Sequence, residues 1–210
     1  MGITKRDRNV YEFLLNSGLT MTIEQLSNMF YSYNQNGTKN NKRSAYVIAH
    51  RRMNKLEELG YINCLKKSKW QPNDVYYAHN RKIQSKQLRH ELSLSEFVCH
   101  LTMNGFKILD IKREYLLPEK YSIRCDAFVL VQYGNKKYYI IVEVGTTHFI
   151  DVEKYNQLIN DMNKHIMNFK YETFIINISD KHLSHPTILT MKTDMSDINK
   201  FIWKLTLKLE

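Results

Sequence analysis

Cysteine is scarce in this chain. There are three, Cys64, Cys99 and Cys125, and no C-x-x-C pair. That excludes a zinc knuckle and a disulfide framework, and it points to a reducing compartment. Long apolar runs are also missing. None approaches the ~18 residues that a membrane-spanning helix needs. The opening residues, MGITKRDRNVYEF, carry charge where a secretion signal would have an apolar core. The expectation is a cytoplasmic protein with no membrane partner.

Acidic charge is sparse in the first part of the chain. Up to His90 there are 16 Lys and Arg against 6 Asp and Glu, and from Glu91 onward 15 against 15. The whole formal excess of +10 therefore lies before Glu91. Such asymmetry suggests two modules, the basic one facing a polyanion. The rest of the composition, 43% hydrophobic and 25% charged, is that of a globular protein.

In the basic part, Val10, Phe13 and Leu14 fall at helical spacing within residues 5–17, and Gly18 ends the run. Thr20 or Thr22 can cap a second helix with Ile23, Leu26 and Phe30 inward. A polar stretch without apolar residues follows, from Tyr33 to Ala45. The third helix, SAYVIAHRRMNKLEELGYI, has an inward stripe of Ala49, Met53, Leu56 and Leu59, with Gly60 as its stop. Two strands then flank a turn holding Pro72, Asn73 and Asp74.

Three helices followed by a basic hairpin describe a winged helix-turn-helix, and RRMNKLEELGYI resembles the recognition helix and first wing strand of winged-helix regulators. The resemblance implies that the third helix enters the major groove of double-stranded DNA while the wing touches phosphates. The candidate DNA-binding residues are Lys42, Arg43, Ser44, Tyr46, His50, Arg51 and Lys55 on the helix. Lys66, Lys67 and Lys69 join them from the hairpin, and Val47 lies on the same helix face. No cofactor is needed for such binding. A winged helix also serves as a protein-docking module.

Residues 81–90, RKIQSKQLRH, read as a linker between a winged-helix domain at 1–80 and a second domain at 91–210. The second part runs helix, three strands, helix, strand. Its helix, LRHELSLSEFVCHLTMNG, is followed by strands in FKILDIKREYLL, SIRCDAFVLVQY and KKYYIIVEVGTT. A helix in VEKYNQLINDMNKHIMNF then puts Tyr155, Leu158, Ile159, Met162 and Ile166 on one face, and ETFIINIS is a buried strand. TILTMK and DINKFIWKLTLKL add a strand and a helix.

This αβββαβ order is that of the restriction-endonuclease-like, PD-(D/E)XK fold, giving a two-domain chain that mixes α+β and α/β architecture. With HELSLSEF, RCDAFVLV, YYIIVEVGTT and EKYNQLI in this order, the chain resembles, over roughly residues 5–175, the replication-relaxation family of plasmid and phage proteins. Those join a winged helix to a nuclease-like domain. The resemblance implies a catalytic set of Glu91, Asp126, Glu143 and Lys154, with Asp126 and Glu143 as metal ligands for Mg²⁺. Two carboxylates and a backbone carbonyl, here that of Val144, are the hard oxygen donors such a cation takes.

One part of the pattern is absent. A lysine two residues after the strand carboxylate is expected, and Gly145 stands there. Lys154 on the next helix is the residue that could replace it, with Gln157 another polar candidate; otherwise Lys154 is a solvated helix charge. Glu96 is the second choice to Glu91. Arg124, two residues before Asp126 and on its strand face, could make a purely structural ion pair with it. His148 follows the third strand as a lone histidine. His182 and His185 have i,i+3 spacing, but Pro186 argues for a loop.

Three readings stay open. One is a DNA-binding accessory or regulatory protein of a mobile element, in replication, transfer or transcription control, with a degenerate nuclease-like domain. Another is a metal-dependent DNA endonuclease or nickase. The third is a transcription regulator whose second domain only mediates dimerisation or partner binding. Homodimerisation and contacts to replication or transcription proteins accompany these readings.

Overall fold

The computed structural model describes residues 2–34, 36–69, 71–145, 151–164, 169–181 and 183–207. The chain divides into two units, Met1–Met103 and Asn104–Glu210.

Thr4 opens the first unit by capping α1, Lys5–Ser17. Its hydroxyl accepts the Asp7 N–H while the Asp7 carboxylate accepts the Thr4 N–H, a reciprocal cap. Gly18 ends α1 at φ 61°, a left-handed conformation that costs glycine nothing. Strand β1, Thr20–Thr22, leads into α2, Ile23–Phe30, which Thr22 and Gln25 cap in the same reciprocal way. Asn41 caps α3, Lys42–Glu58, by accepting the Ser44 N–H at 2.8 Å. Strands β2, Ile62–Leu65, and β3, Val75–Ala78, then form a hairpin. β3 pairs antiparallel with both β2 and β1, so the sheet order is β1-β3-β2.

The core of this unit is Val10, Leu14, Leu26, Ala49, Met53 and Leu56. Leu59, expected inward, is instead the helix C-cap and 46% exposed, because the helical repeat stops at Glu58. Arg52 is buried although it is charged. It forms an ion pair with Asp7 and donates to the Gly2 carbonyl at 2.9 Å, tying α3 to α1. Burial would raise the Asp7 pKa, but hydrogen bonds from Arg52 and Thr4 hold it below the usual carboxylate range.

Helix α4, Leu88–Met103, belongs to this unit rather than to the second. Its Glu91, Leu94, Val98 and Leu101 stripe is buried as the spacing requires. The helix packs on α2 and β1. Polar contacts fix it there: Ser95 donates to the Thr20 carbonyl at 2.5 Å, and Gln25 donates to Glu96 at 2.5 Å. Residues expected to be a linker are also engaged, since Arg81 donates to the Gly18 carbonyl and to Thr20.

The second unit is built on one mixed sheet. Strands β4, Lys107–Leu116, β5, Arg124–Tyr133, and β6, Lys136–Val144, run antiparallel. β7, Glu172–Ile178, and β8, Ile188–Met191, continue parallel to β6, giving the order β4-β5-β6-β7-β8. Helix α5, Asn156–Asn163, is the crossover that the parallel β6–β7 pair needs. Helix α6, Ile198–Leu207, follows β8. The α5 face of the sheet carries Phe128, Ile141, Ile175 and Ile188, packed with Tyr155, Leu158 and Ile159. Ile166, His148 and His182 lie outside the described residues. Among the described residues no helix is long and apolar enough to cross a membrane.

Candidate functional site

Two places merit chemical description, one in each unit. In the first unit, α3 turns Ala45, Ala49, Met53 and Leu56 inward. Lys42, Arg43, Ser44, Tyr46, Val47 and Arg51 are exposed on its other side. Arg43, Val47 and Arg51 stand at i, i+4 and i+8, so they form one stripe. Val47 is 58% exposed, an apolar side chain set between two arginines.

The other candidates on this face divide by their partners. Lys55 pairs with Glu58 at 3.0 Å and Lys66 with Glu57 at 2.7 Å, so their charges are partly neutralised within the unit. His50 is half-buried, stacks on Tyr46, and has Nε2 3.6 Å from the Asp74 carboxylate. Asp74 also accepts the Lys67 N–H at 2.8 Å, holding the hairpin loop. Among the described residues Lys42, Arg43, Arg51 and Lys67 make no ion pair, and Lys69 is exposed.

In the second unit the candidate residues lie where a sheet forks. The β5–β6 ladder stops at the Ala127–Val142 pair. β5 continues beside β4 to the Arg124–Leu116 pair, and β6 continues beside β7 to the Val144–Ile178 pair. Asp126 lies at the fork, and its carboxylate accepts the Val144 N–H at 2.7 Å, bridging the parted strands. Side chains two residues apart on a strand share a face. Asp126 thus lies on the face of Phe128, and Glu143 on that of Ile141, the face that α5 covers.

Glu143 Oε1 accepts from Lys154 Nζ at 2.6 Å and from the Tyr155 hydroxyl. Lys154 Nζ also donates to the Arg124 carbonyl at 3.2 Å. Lys154 thus reaches Glu143 from the turn just ahead of α5. Gly145 itself serves the backbone: its N–H donates to the Ile178 carbonyl, and its carbonyl accepts from Ser179. Gln157, the other polar candidate, is exposed.

Burial raises the Glu143 pKa. Hydrogen bonds from Lys154 and Tyr155 oppose the rise and nearby Asp126 adds to it, so the net direction is upward. Burial also raises the Tyr155 hydroxyl, with Glu143 adding to it, so Tyr155 is a fixed donor. Burial pushes the Cys125 thiol up to about 12, which makes it a packing residue and not a nucleophile.

The structure brings Asp126, Glu143 and Lys154 together and gives Glu91 other partners. Glu91 accepts from Thr20 at 3.2 Å and pairs with Arg81 at 3.3 Å, all within the first unit. Helical spacing identified its inward face but not the surface that face meets. Glu96 pairs with His100 at 3.0 Å as well as with Gln25. Arg124 makes no ion pair with Asp126 among the described residues, and its contribution is its carbonyl. His185 accepts the Thr187 and Ile188 N–H groups in a loop.

Sequence reasoning overlooked Tyr155 as a polar partner, because its position on the apolar stripe marked it as core. It also overlooked Asn177, in register with Glu143 on β7 and buried. The signal was a lone asparagine in the apolar run FIINI.

Among the described residues no three His, Cys, Asp or Glu side chains gather as a metal site. The donors that do meet, the Asp126 and Glu143 carboxylates, are hard oxygens, and Glu143 Oε2 makes no hydrogen bond among the described residues. That donor chemistry suits Mg²⁺ or Mn²⁺ rather than a soft metal. Compared with known proteins, the chain matches no protein-family model and no curated protein.

Proposed function

We propose that this chain is a double-stranded DNA-binding protein that docks through its first unit. The carrying observation is the α3 stripe of Arg43, Val47 and Arg51, exposed and without intramolecular ion pairs among the described residues. The order helix, strand, two helices and hairpin, with sheet order β1-β3-β2, supports reading the unit as a winged helix-turn-helix. In that reading α3 lies in the major groove. Arg43 and Arg51 reach phosphates or guanine edges, and Val47 offers an apolar surface to a thymine methyl. Lys67 and Lys69 contact phosphate from the hairpin. The role that fits is regulatory or accessory, in the manner of the replication-relaxation proteins that the motifs resemble.

Fluorescence anisotropy on duplex DNA across a salt series tests this. Arg51→Ala with Lys67→Ala should weaken binding and flatten the plot of log K against log salt by about 0.9 per lost phosphate contact. Binding with an unchanged slope would put the DNA face elsewhere.

A second reading is favoured by one contact, Lys154 on Glu143: the second unit cleaves phosphodiesters. Asp126 and Glu143 would hold a divalent cation. Such a cation, when bound, supplies an activated water and offsets charge on the leaving oxygen. Lys154, held between Glu143 and the Arg124 carbonyl, keeps an ammonium where an attacking water or a phosphate oxygen is to be oriented. Tyr155 fixes the Glu143 carboxylate. Incubation with supercoiled plasmid and Mg²⁺ or Mn²⁺ decides the matter. Nicking lost in Asp126→Ala, Glu143→Ala and Lys154→Ala supports this reading, and no nicking with either ion sinks it.

A further inference from the structure

Rows of side chains cross the α5 face of the second sheet. Phe128, Ile141, Ile175 and Ile188 are in register with one another and form an apolar row. Two residues further along each strand the row becomes Asp126, Glu143, Asn177 and Thr190. Glu143 pairs with Asn177, and Asn177 with Thr190. Neighbouring paired strands lie roughly 4.8 Å apart, so Glu143, Asn177 and Thr190 stand side by side, with Asp126 across the fork from Glu143.

Three of the four have partners. Asp126 holds the Val144 N–H, Glu143 holds Lys154 and Tyr155, and Thr190 donates to the Leu183 carbonyl at 3.2 Å. Asn177 differs. It is 1% exposed, and its Oδ1 has no hydrogen-bond partner among the described residues. Leaving a buried amide oxygen unpaired costs on the order of 1–3 kcal/mol, which a residue retained for packing alone would not justify. Leucine has the same branched heavy-atom skeleton and no polar atom to leave unpaired. The neighbouring Glu143 Oε2 is also without a hydrogen bond among the described residues.

We infer that Asn177 is a third oxygen donor of the fork, which with Asp126 and Glu143 seats one hard divalent cation. The inference rests on the reading of the second unit as a metal-dependent site, and it adds a neutral side-chain ligand to it. Hard divalent cations accept a mixture of carboxylate and amide oxygens. A neutral donor suits this place, because a third carboxylate would add to the repulsion that Asp126 already exerts on Glu143.

The test is Mn²⁺ binding by the full-length protein, read by electron paramagnetic resonance, together with the thermal stability of the metal-free protein. Three variants are compared with the parent: Asp126→Asn, Asn177→Leu and Asn177→Asp. Asp126→Asn should abolish binding. Asn177→Leu should weaken it by about tenfold or more while raising the metal-free Tm, since the orphan oxygen is gone. Asn177→Asp should tighten it and lower the metal-free Tm. A merely structural asparagine would give the opposite pattern for leucine, a lower Tm with Mn²⁺ affinity unchanged. That result, with Asp126→Asn still abolishing binding, overturns the role of Asn177 alone. Failure of the parent protein to bind Mn²⁺ overturns both the inference and the metal-site reading beneath it.

Discussion

Glu143 carries two opposed loads. Burial and Asp126 disfavour its charge, and Lys154 and Tyr155 favour it, with the first pair prevailing. A carboxyl whose pKa is raised in the folded state adds most stability below its unfolded value and loses that as pH rises through the folded one. Glu143→Gln should therefore raise Tm at neutral pH, with the gain vanishing below pH ~4, where both forms are uncharged. Thermal melts across that range check it, and an equal gain at every pH would refute the electrostatic cause. Asp7 behaves in the opposite sense. Its depressed pKa contributes stability above its ordinary value, near 3.8, that is lost on acidification. Removing Arg52 leaves the Asp7 carboxylate buried and unpaired, so Arg52→Ala should cost about 3 kcal/mol, measured by urea denaturation. Arg51→Ala, one residue away but exposed, should cost less than about 0.5 kcal/mol.

Among the elements, α3 combines a structural face and a presenting face. Its N-cap, Asn41, lies beside Lys42 and Arg43 at the helix end proposed to approach DNA. Asn41→Ala should destabilise the first unit by ~1 kcal/mol, and it should weaken DNA binding less than Arg43→Ala does. The ion-paired lysines offer a contrast. Lys55→Ala with Lys66→Ala should reduce DNA affinity less than Arg51→Ala with Lys67→Ala, because Glu58 and Glu57 already hold those ammonium groups. A larger effect from the paired lysines would mean that the pairs open on binding. The turn before α5 has the corresponding double role in the second unit. Tyr155 packs in the core and bonds Glu143, while adjacent Lys154 keeps a third of its side chain exposed.

At the scale of the whole molecule, α4 decides where the chain can be divided. Its buried stripe and the bonds of Ser95, Glu96 and Glu91 make it part of the first unit's core. A fragment of residues 1–103 should unfold cooperatively and bind duplex DNA with the salt dependence of the full chain. A fragment of residues 1–80 exposes the parts of α2 and β1 that α4 covers and leaves the Gln25 amide without Glu96, and should aggregate or melt without a transition. Circular dichroism melts of the two fragments distinguish these outcomes. A cooperative melt for the shorter one would show that α4 is dispensable.

Local pattern was enough for much of this molecule. The periodicity of Val10, Leu14, Leu26, Ala49 and Met53, the caps at Thr22 and the stop at Gly18 are short-range matters of backbone geometry. Most helices and strands are accordingly legible in the linear order of residues, but not β1, Thr20–Thr22, which exists only by pairing with β3. Asp126 and Glu143 were legible too, because a carboxylate in an apolar strand stands out, and so was Lys154 as a candidate from the element that follows the strand. Tertiary structure decided what spacing cannot encode. A helical stripe says that Glu91 points inward, but only packing says that it meets Thr20 and Arg81. Likewise the arginine doublet at 51 and 52 looks uniform as text, while the step of about 100° between consecutive helical residues sends Arg51 to solvent and Arg52 into a buried pair with Asp7. Asn177 stands out in FIINI as a lone polar residue, but its place beside Glu143 and its unpaired oxygen are decided by the fold, because hydrogen-bond satisfaction is a property of neighbours in space.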